Sequence, residues 1–277
     1  MKRLITQYRP RTATPFSFNA THSEYAANYF LQPYIICFWG SEQPYRPDAV
    51  AEQSTSLVVP DTAMDIIFII NYSSGKVFTS FHGINDHAYY VPPMSGNDEV
   101  AVFAVRFYFW TVGLFTRVPL DKVLNYNFDA REYFADFVEA LTPHLIEERL
   151  MGRKILFAEQ LLSKQISFQE IDSHVFNALY LMLKTNKSSQ EIFDSVYLSR
   201  RQLERLFLQY TGVTPKKAYD LIRYQRIWQT MLGEEIVNAQ DLVFRFGFVD
   251  QAHLLKSFKK FHGLTPRAAK NLALNKK

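Results

Sequence analysis

A chain of 277 residues with a formal net charge of +4 has room for two domains, and its composition is that of an ordinary globular protein. Its single cysteine excludes an intramolecular disulfide and any cluster of thiolate metal ligands. No window approaches 18 unbroken apolar residues and no N-terminal apolar stretch reads as a signal peptide, so no membrane span is expected and the expected location is cytoplasmic.

Residues 1–33 are polar and aromatic by turns, punctuated by Pro10, Pro15 and Pro33, and carry no assignable element. From Tyr34 to Tyr108 the pattern becomes short β-branched and aromatic runs bounded by turn residues. Strands are expected at 34–39, 56–59, 65–70, 76–81, 88–91 and 100–108. Ser73, Ser74 and Gly75 read as a hairpin turn between the third and fourth of these, and Pro92 with Pro93 as a stop. Many short strands with close turns imply a β-sandwich or small barrel. Helical periodicity follows at 131–141, 144–163 and 174–184.

Within this half, Cys37 lies in the apolar run YIICFWG and reads as a buried core thiol. His82 and His87 flank Asp86, but a five-residue spacing suits neither one face of a helix nor one face of a strand, so a metal is not expected. Tyr72, Phe78, Phe81, Tyr89, Tyr90, Phe103, Phe107 and Trp110 form an aromatic-rich set, better explained as core than as ligand box. Asp65 and Arg106 are polar residues inside strongly apolar strands. They are read either as partners in a buried salt bridge or as ligand-binding anchors.

The C-terminal region repeats itself. Moving 190–218 along by 51 positions lays it over 241–269 without a gap, with seven identities in 29 positions: Phe193, Leu203, Phe207, Gly212, Thr214, Pro215 and Ala218 fall on Phe244, Leu254, Phe258, Gly263, Thr265, Pro266 and Ala269. Composition alone predicts roughly two. Ser188 three before Glu191, and Ser199 three before Gln202, are capping-box spacings that open two short helices around a tight turn. Along the second helix Leu203, Leu206, Phe207 and Tyr210 make one apolar stripe, and Gly212 ends it. The opposite face carries Arg200, Arg201, Glu204 and Arg205. In the second copy Leu254, Phe258 and Phe261 make the stripe, Gly247 breaks the preceding helix and Gly263 closes the unit. Thr214 with Pro215 and Thr265 with Pro266 read as an N-cap followed by a first helical turn.

These strings, SRRQLERLF, then GVTP, then FGFVDQAHLLKSFKKFHGLTP, resemble the DNA-binding domain of the AraC/XylS family of transcription regulators over about 80 residues. A weaker resemblance, in PDTAMDIIFII, FTSFHG and AVRFYFWTVGLFTRVPLDKVLN, is to an N-terminal domain found on poorly characterised AraC-type regulators. There the family tends to show Phe-x-Pro-Gly where this chain has Phe107, Tyr108, Phe109 and Trp110. The resemblance implies an α+β chain in three parts. Residues 1–170 form a β-rich effector or assembly domain with a helical tail, 171–187 a linker helix, and 188–277 an all-α domain of two helix-turn-helix units joined by one long helix over 215–232.

By position in that family, Arg201, Glu204 and Arg205 of the first unit and Gln251, Ala252 and Lys256 of the second would reach base edges. An Arg fork can take guanine O6 and N7 together, and a Glu can accept from cytosine N4. Ser199, Arg200, Lys216, Lys217, Lys259 and Arg267 would contact the DNA backbone. Charge is placed accordingly, with 15 Lys and Arg against 8 Asp and Glu in 188–277 and 16 against 19 in the rest. The expected partner is double-stranded DNA across two adjacent major grooves, with RNA polymerase downstream, and the N-terminal domain serves a small-molecule effector or a homodimer contact. No cofactor and no catalytic constellation is expected. The alternative is an enzyme or small-molecule-binding β-domain tethered to a DNA-binding module.

Overall fold

The structure is a computed structural model that describes residues 8–14, 21–50, 55–166, 171–234 and 238–274. Pro15 and the 170/171 domain boundary expected from sequence lie at or outside the edges of these residues. The N-terminal half holds two antiparallel sheets. In the six-stranded one the order is β2 (Ser23–Tyr25), β3 (Ile35–Gly40), β8 (Val100–Tyr108), β5 (Ala63–Asn71), β6 (Lys76–His82) and β9 (Asn127–Phe128). The three-stranded one runs β1 (Ala13–Thr14), β4 (Ser56–Val58) and β7 (Tyr89–Val91). Strands β3 to β8 match the sequence expectation to within about two residues. The short strands β1, β2 and β9 lie in stretches with no alternation long enough to read.

Strand β5 shows why the sheet has two different faces. Ile66, Phe68 and Ile70 are fully buried, whereas Asp65, Ile67 and Ile69 between them are only half-buried. The buried side receives α1 (Ala130–Glu147), with Phe68 edge-on to Phe137 at 6.2 Å and Phe81 edge-on to Phe134 at 5.1 Å, and α2 (Met151–Gln165) packs against α1. Of the aromatic set, Phe81, Phe103, Phe107 and Trp110 are fully buried core, Tyr72 and Tyr89 half-buried, and Phe78 and Tyr90 exposed.

The helix expected at 144–163 starts later, and its first residues belong to α1. Pro143 reads locally as a breaker, because it lacks an N–H and disfavours helix at the residue before it. Leu141 and Leu145 on either side of it are fully buried, and that packing carries α1 through the proline to Glu147.

Helix α3 (Ser173–Lys184) leads into the C-terminal region, where α4 (Ser189–Asp194), α5 (Arg200–Thr211), α6 (Pro215–Gly233), α7 (Ala239–Arg245), α8 (Gln251–His262) and α9 (Pro266–Ala273) follow. The two halves touch extensively. Gly212 is pressed so close to residues 120–123 that a Cβ there would meet Leu120 O at 2.6 Å and Val123 Cγ2 at 2.4 Å. Its φ of +71° also favours glycine.

Candidate nucleic-acid interface

Both expected capping boxes form. Ser188 Oγ accepts from Glu191 N–H at 3.3 Å while the Glu191 carboxylate accepts from Ser188 N–H at 2.8 Å, opening α4. Ser199 and Gln202 repeat this at 3.3 Å and 3.1 Å, opening α5. Between them the chain turns through Tyr197 at φ +56°. Leu203 and Phe207 are buried, with Leu206 and Tyr210 half-buried beside them, so the apolar stripe faces inward and Arg201, Glu204 and Arg205 face solvent.

The second unit is built alike from different caps. Asn238 accepts from Gln240 N–H at 2.8 Å to open α7, Gly247 takes φ +64° in the turn, and Asp250 accepts from His253 N–H at 2.7 Å to open α8. Leu254, Phe258 and Phe261 are buried, which leaves Gln251, Ala252 and Lys256 exposed. The 19-residue α6 joins the units and spans about 28 Å at 1.5 Å per residue. Tyr224 of α6 packs on Phe258 and Phe261 at 5.4 Å and 5.2 Å, and the Arg223 guanidinium lies over the Phe248 ring at 4.2 Å. Side chains of the connecting helix thus fix how the second recognition helix is presented.

All six base-edge candidates therefore stand on exposed faces of the second helices of two similar units. The backbone candidates are less uniform. The Ser199 hydroxyl serves its own capping box, Arg200 Nη2 donates to Gln190 Oε1 at 2.7 Å, and Lys216 pairs with Asp220 at 2.9 Å. Lys217 pairs with Asp86 of the N-terminal half at 2.5 Å. Lys259 and Arg267 are exposed.

Sequence reasoning missed the basic residues between the units. A cleft of about 290 Å³ is bordered by Lys184, Asn186, Arg226, Gln229 and Arg245. Arg226 closes the C-terminal end of α3 by donating to the carbonyls of Met182 at 3.2 Å and Thr185 at 2.6 Å, and to Asn186 Oδ1 at 2.8 Å. Arg245 pairs with Glu234 at 2.6 Å. Arg223 and Arg226 lie three apart on one helix, a visible spacing, but the hydrogen-bond partners of Arg226 lie 40 to 44 residues away.

In the N-terminal half, Asp65 and Arg106 come together in one buried cluster. Arg106 donates to Asp61 and lies 3.6 Å from Asp65, which also accepts from Trp39 Nε1 at 2.8 Å. Burial pushes the Asp61 carboxyl upward, and the guanidinium opposes that shift. Asp61 was not a sequence candidate, since it stands in the turn before β5. Cys37 is buried and burial pushes its thiol up, away from nucleophilic chemistry. Asp86, expected beside two histidines, is bonded to His87 at 3.2 Å, while His82 faces Ser80 Oγ at 2.9 Å. Among the described residues no three His, Cys, Asp or Glu side chains converge as metal ligands, and no helix is long and apolar enough to cross a membrane.

Residues 192–271 match a family model described as a helix-turn-helix domain, and residues 23–129 match a domain of unknown function (DUF6597). The chain is 27% identical over 145 residues to the HTH-type transcriptional regulator ArgR of Pseudomonas aeruginosa, covering 51% of this chain and 43% of ArgR. It is 27% identical over 153 residues to the HTH-type transcriptional regulator GbdR of the same species, covering 54% of this chain and 40% of GbdR. The chain thus spans about two fifths of the length of these curated relatives. Among solved structures it is similar to ToxT from Vibrio cholerae, with 12% identity, a TM-score of 0.42, and coverage of 80% of this chain and 96% of that one. The two capped units, the helix that joins them and the family match together identify residues 192–271 as a helix-turn-helix domain of the AraC type.

Proposed function

We propose that the protein is a bacterial, sequence-specific DNA-binding transcription regulator that acts by binding, without covalent chemistry. The observation that carries this reading is the pair of helix-turn-helix units, each with an exposed polar face on its second helix, held by a helix of about 28 Å. Adjacent major grooves on one face of a duplex repeat about every 34 Å, a spacing that one such domain can serve with both recognition helices.

Arg201, Glu204 and Arg205 would read one groove and Gln251, Ala252 and Lys256 the next. Ser199, Arg200, Lys216, Lys217, Lys259 and Arg267 would meet phosphates. Residues 188–277 form the DNA-binding part, and 1–170 with the linker helix 171–187 the regulatory part, for effector sensing or dimerisation, with RNA polymerase as a downstream partner. For Asp65 and Arg106 a structural role is the better-supported one, because each already has a buried partner of opposite charge.

Selection of duplexes from a random-sequence pool with the full chain tests the proposal. The expected outcome is a motif in two parts about one helical turn apart, bound with an affinity that falls steeply with salt as phosphate contacts release counterions. Recovery of no motif, or binding indifferent to salt, would overturn it.

A further inference from the structure

Lys217 stands in the first turn of α6, where the first unit hands over to the connecting helix. Its neighbour Lys216 keeps 57% of its side chain exposed, but Lys217 keeps only 25%. The difference comes from the N-terminal half, where the Asp86 carboxylate takes the Lys217 ammonium at 2.5 Å.

Asp86 is held in place for this contact. Its N–H donates to Asn125 Oδ1 at 2.9 Å, and Asn125 Nδ2 donates to Asp86 Oδ1 at 3.0 Å. Asn125 itself sits at φ +62°, a conformation asparagine tolerates better than most residues, with its N–H on the Ile84 carbonyl at 2.6 Å. Two residues beyond Asp86, the Ala88 N–H donates to the Phe261 carbonyl of α8 at 3.0 Å. One loop of the acidic half therefore holds both the exit of the first unit and the recognition helix of the second. The two equivalent glycines show how one-sided this grip is: a Cβ at Gly212 would collide with Leu120 and Val123, whereas a Cβ at Gly263 would meet nothing within 4 Å.

We infer that Asp86 is an internal competitor for DNA, occupying the Lys217 ammonium that a backbone phosphate would take, so that the N-terminal half lowers the protein's own affinity for duplex until this loop releases. An ammonium has three donors, but a phosphate brought to it would lie against the Asp86 carboxylate, charge against like charge. The partner of the released state is the phosphate backbone of DNA. The inference rests on the DNA-binding reading above and adds to it a contact that sets the affinity.

The test measures binding of the full-length protein to a duplex recovered by selection, for the wild type, Asp86→Asn, Asp86→Ser, Lys217→Met and the double variant Asp86→Asn with Lys217→Met. Thermal unfolding is followed in parallel to confirm that each is folded. Asp86→Asn and Asp86→Ser are expected to bind about 3- to 10-fold tighter than wild type. The slope of log affinity against log salt should steepen by about 0.9, the share of one additional phosphate contact. With Lys217 already replaced, Asp86→Asn should change affinity by less than about twofold, the range of independent sites. Equal binding by wild type and both Asp86 variants overturns the inference while leaving the DNA-binding reading intact. So does tightening of the same size in the Lys217→Met background, which would reflect general loss of negative charge. If neither wild type nor variants recover any duplex, the DNA-binding reading itself fails and this inference with it.

Discussion

Gln225 and Arg11 close a ring of two hydrogen bonds across the boundary between the halves. The Arg11 N–H donates to Gln225 Oε1 at 2.9 Å, and Gln225 Nε2 donates back to the Arg11 carbonyl at 2.8 Å and onward to the Pro60 carbonyl at 2.6 Å. The side-chain amide of a helix thus serves as a strand-like partner for the N-terminal segment, and Gln225 is fully buried in doing so.

Replacing Gln225 with Leu keeps the volume but removes the side-chain partner of the buried Pro60 carbonyl and of the part-buried Arg11 N–H and carbonyl. Each unsatisfied group costs about 1–3 kcal/mol, and partial relaxation leaves an expected loss of about 2–4 kcal/mol. Urea unfolding of Gln225→Leu against wild type measures it. A difference under about 0.5 kcal/mol, the range of an inconsequential surface change, would show that this contact does not hold the halves together.

Base-reading and phosphate-binding side chains should fail differently. Arg205→Ala and Lys256→Ala are expected to relax sequence preference at the base pairs they face, each at about 1–3 kcal/mol of discrimination. Lys259→Ala and Arg267→Ala should weaken all duplexes alike and flatten the salt dependence. Selection with each variant distinguishes the two classes. The same motif recovered with and without Arg205 would place the first recognition helix in the wrong orientation.

Most of the features legible in the sequence are those whose partners lie within a few residues. Ser188 with Glu191 and Ser199 with Gln202 are three apart, so their capping boxes can be read directly, and they form. Gly212 and Gly263 read identically as helix ends, and both adopt left-handed φ; that only Gly212 is also a docking point depends on Leu120 and Val123, far off in the chain. Pro143 shows the converse, a strong local breaker overruled by the burial of Leu141 and Leu145. Asp86 beside His87 suggested a metal question, whereas its defining partner, Lys217, is 131 residues away. Asp61, in the turn before β5, stood out by no spacing that pointed to Arg106, 45 residues on. Local chemistry is thus visible in one sequence, and long-range polar pairing is visible only where both partners interrupt apolar strands, as Asp65 and Arg106 do.

The Arg106 cluster allows the structural and ligand-anchoring roles to be separated. Removing one member of a buried ion pair leaves the other uncompensated, so Arg106→Met is expected to cost about 3–5 kcal/mol through Asp61 and Asp65. Adding Asp61→Asn to it should recover part of that loss, because the stranded carboxylate is gone. Chemical denaturation of the three proteins gives the answer. An Arg106→Met protein as stable as wild type would instead point to an arginine kept for something other than the fold.

Acid should loosen the second unit before neutral pH does. His262 is fully buried, stacked on Phe258 at 5.0 Å with Nδ1 against the Tyr224 hydroxyl at 2.7 Å, and its Nε2 meets no acceptor among the described residues. Burial lowers its pKa from 6.5 to about 4. Between those values the unfolded chain binds a proton that the folded chain refuses. The site's contribution is therefore complete above the unfolded value of 6.5 and is lost as pH falls toward about 4, amounting to about 3 kcal/mol. His262→Phe keeps the ring stack, removes the titration and leaves Tyr224 without its partner. The variant is expected to be about 1 kcal/mol less stable at neutral pH yet to lose less than wild type on acidification. Urea midpoints at several pH values through this window supply the comparison. Parallel pH dependence in the two proteins would show that His262 does not control the acid response.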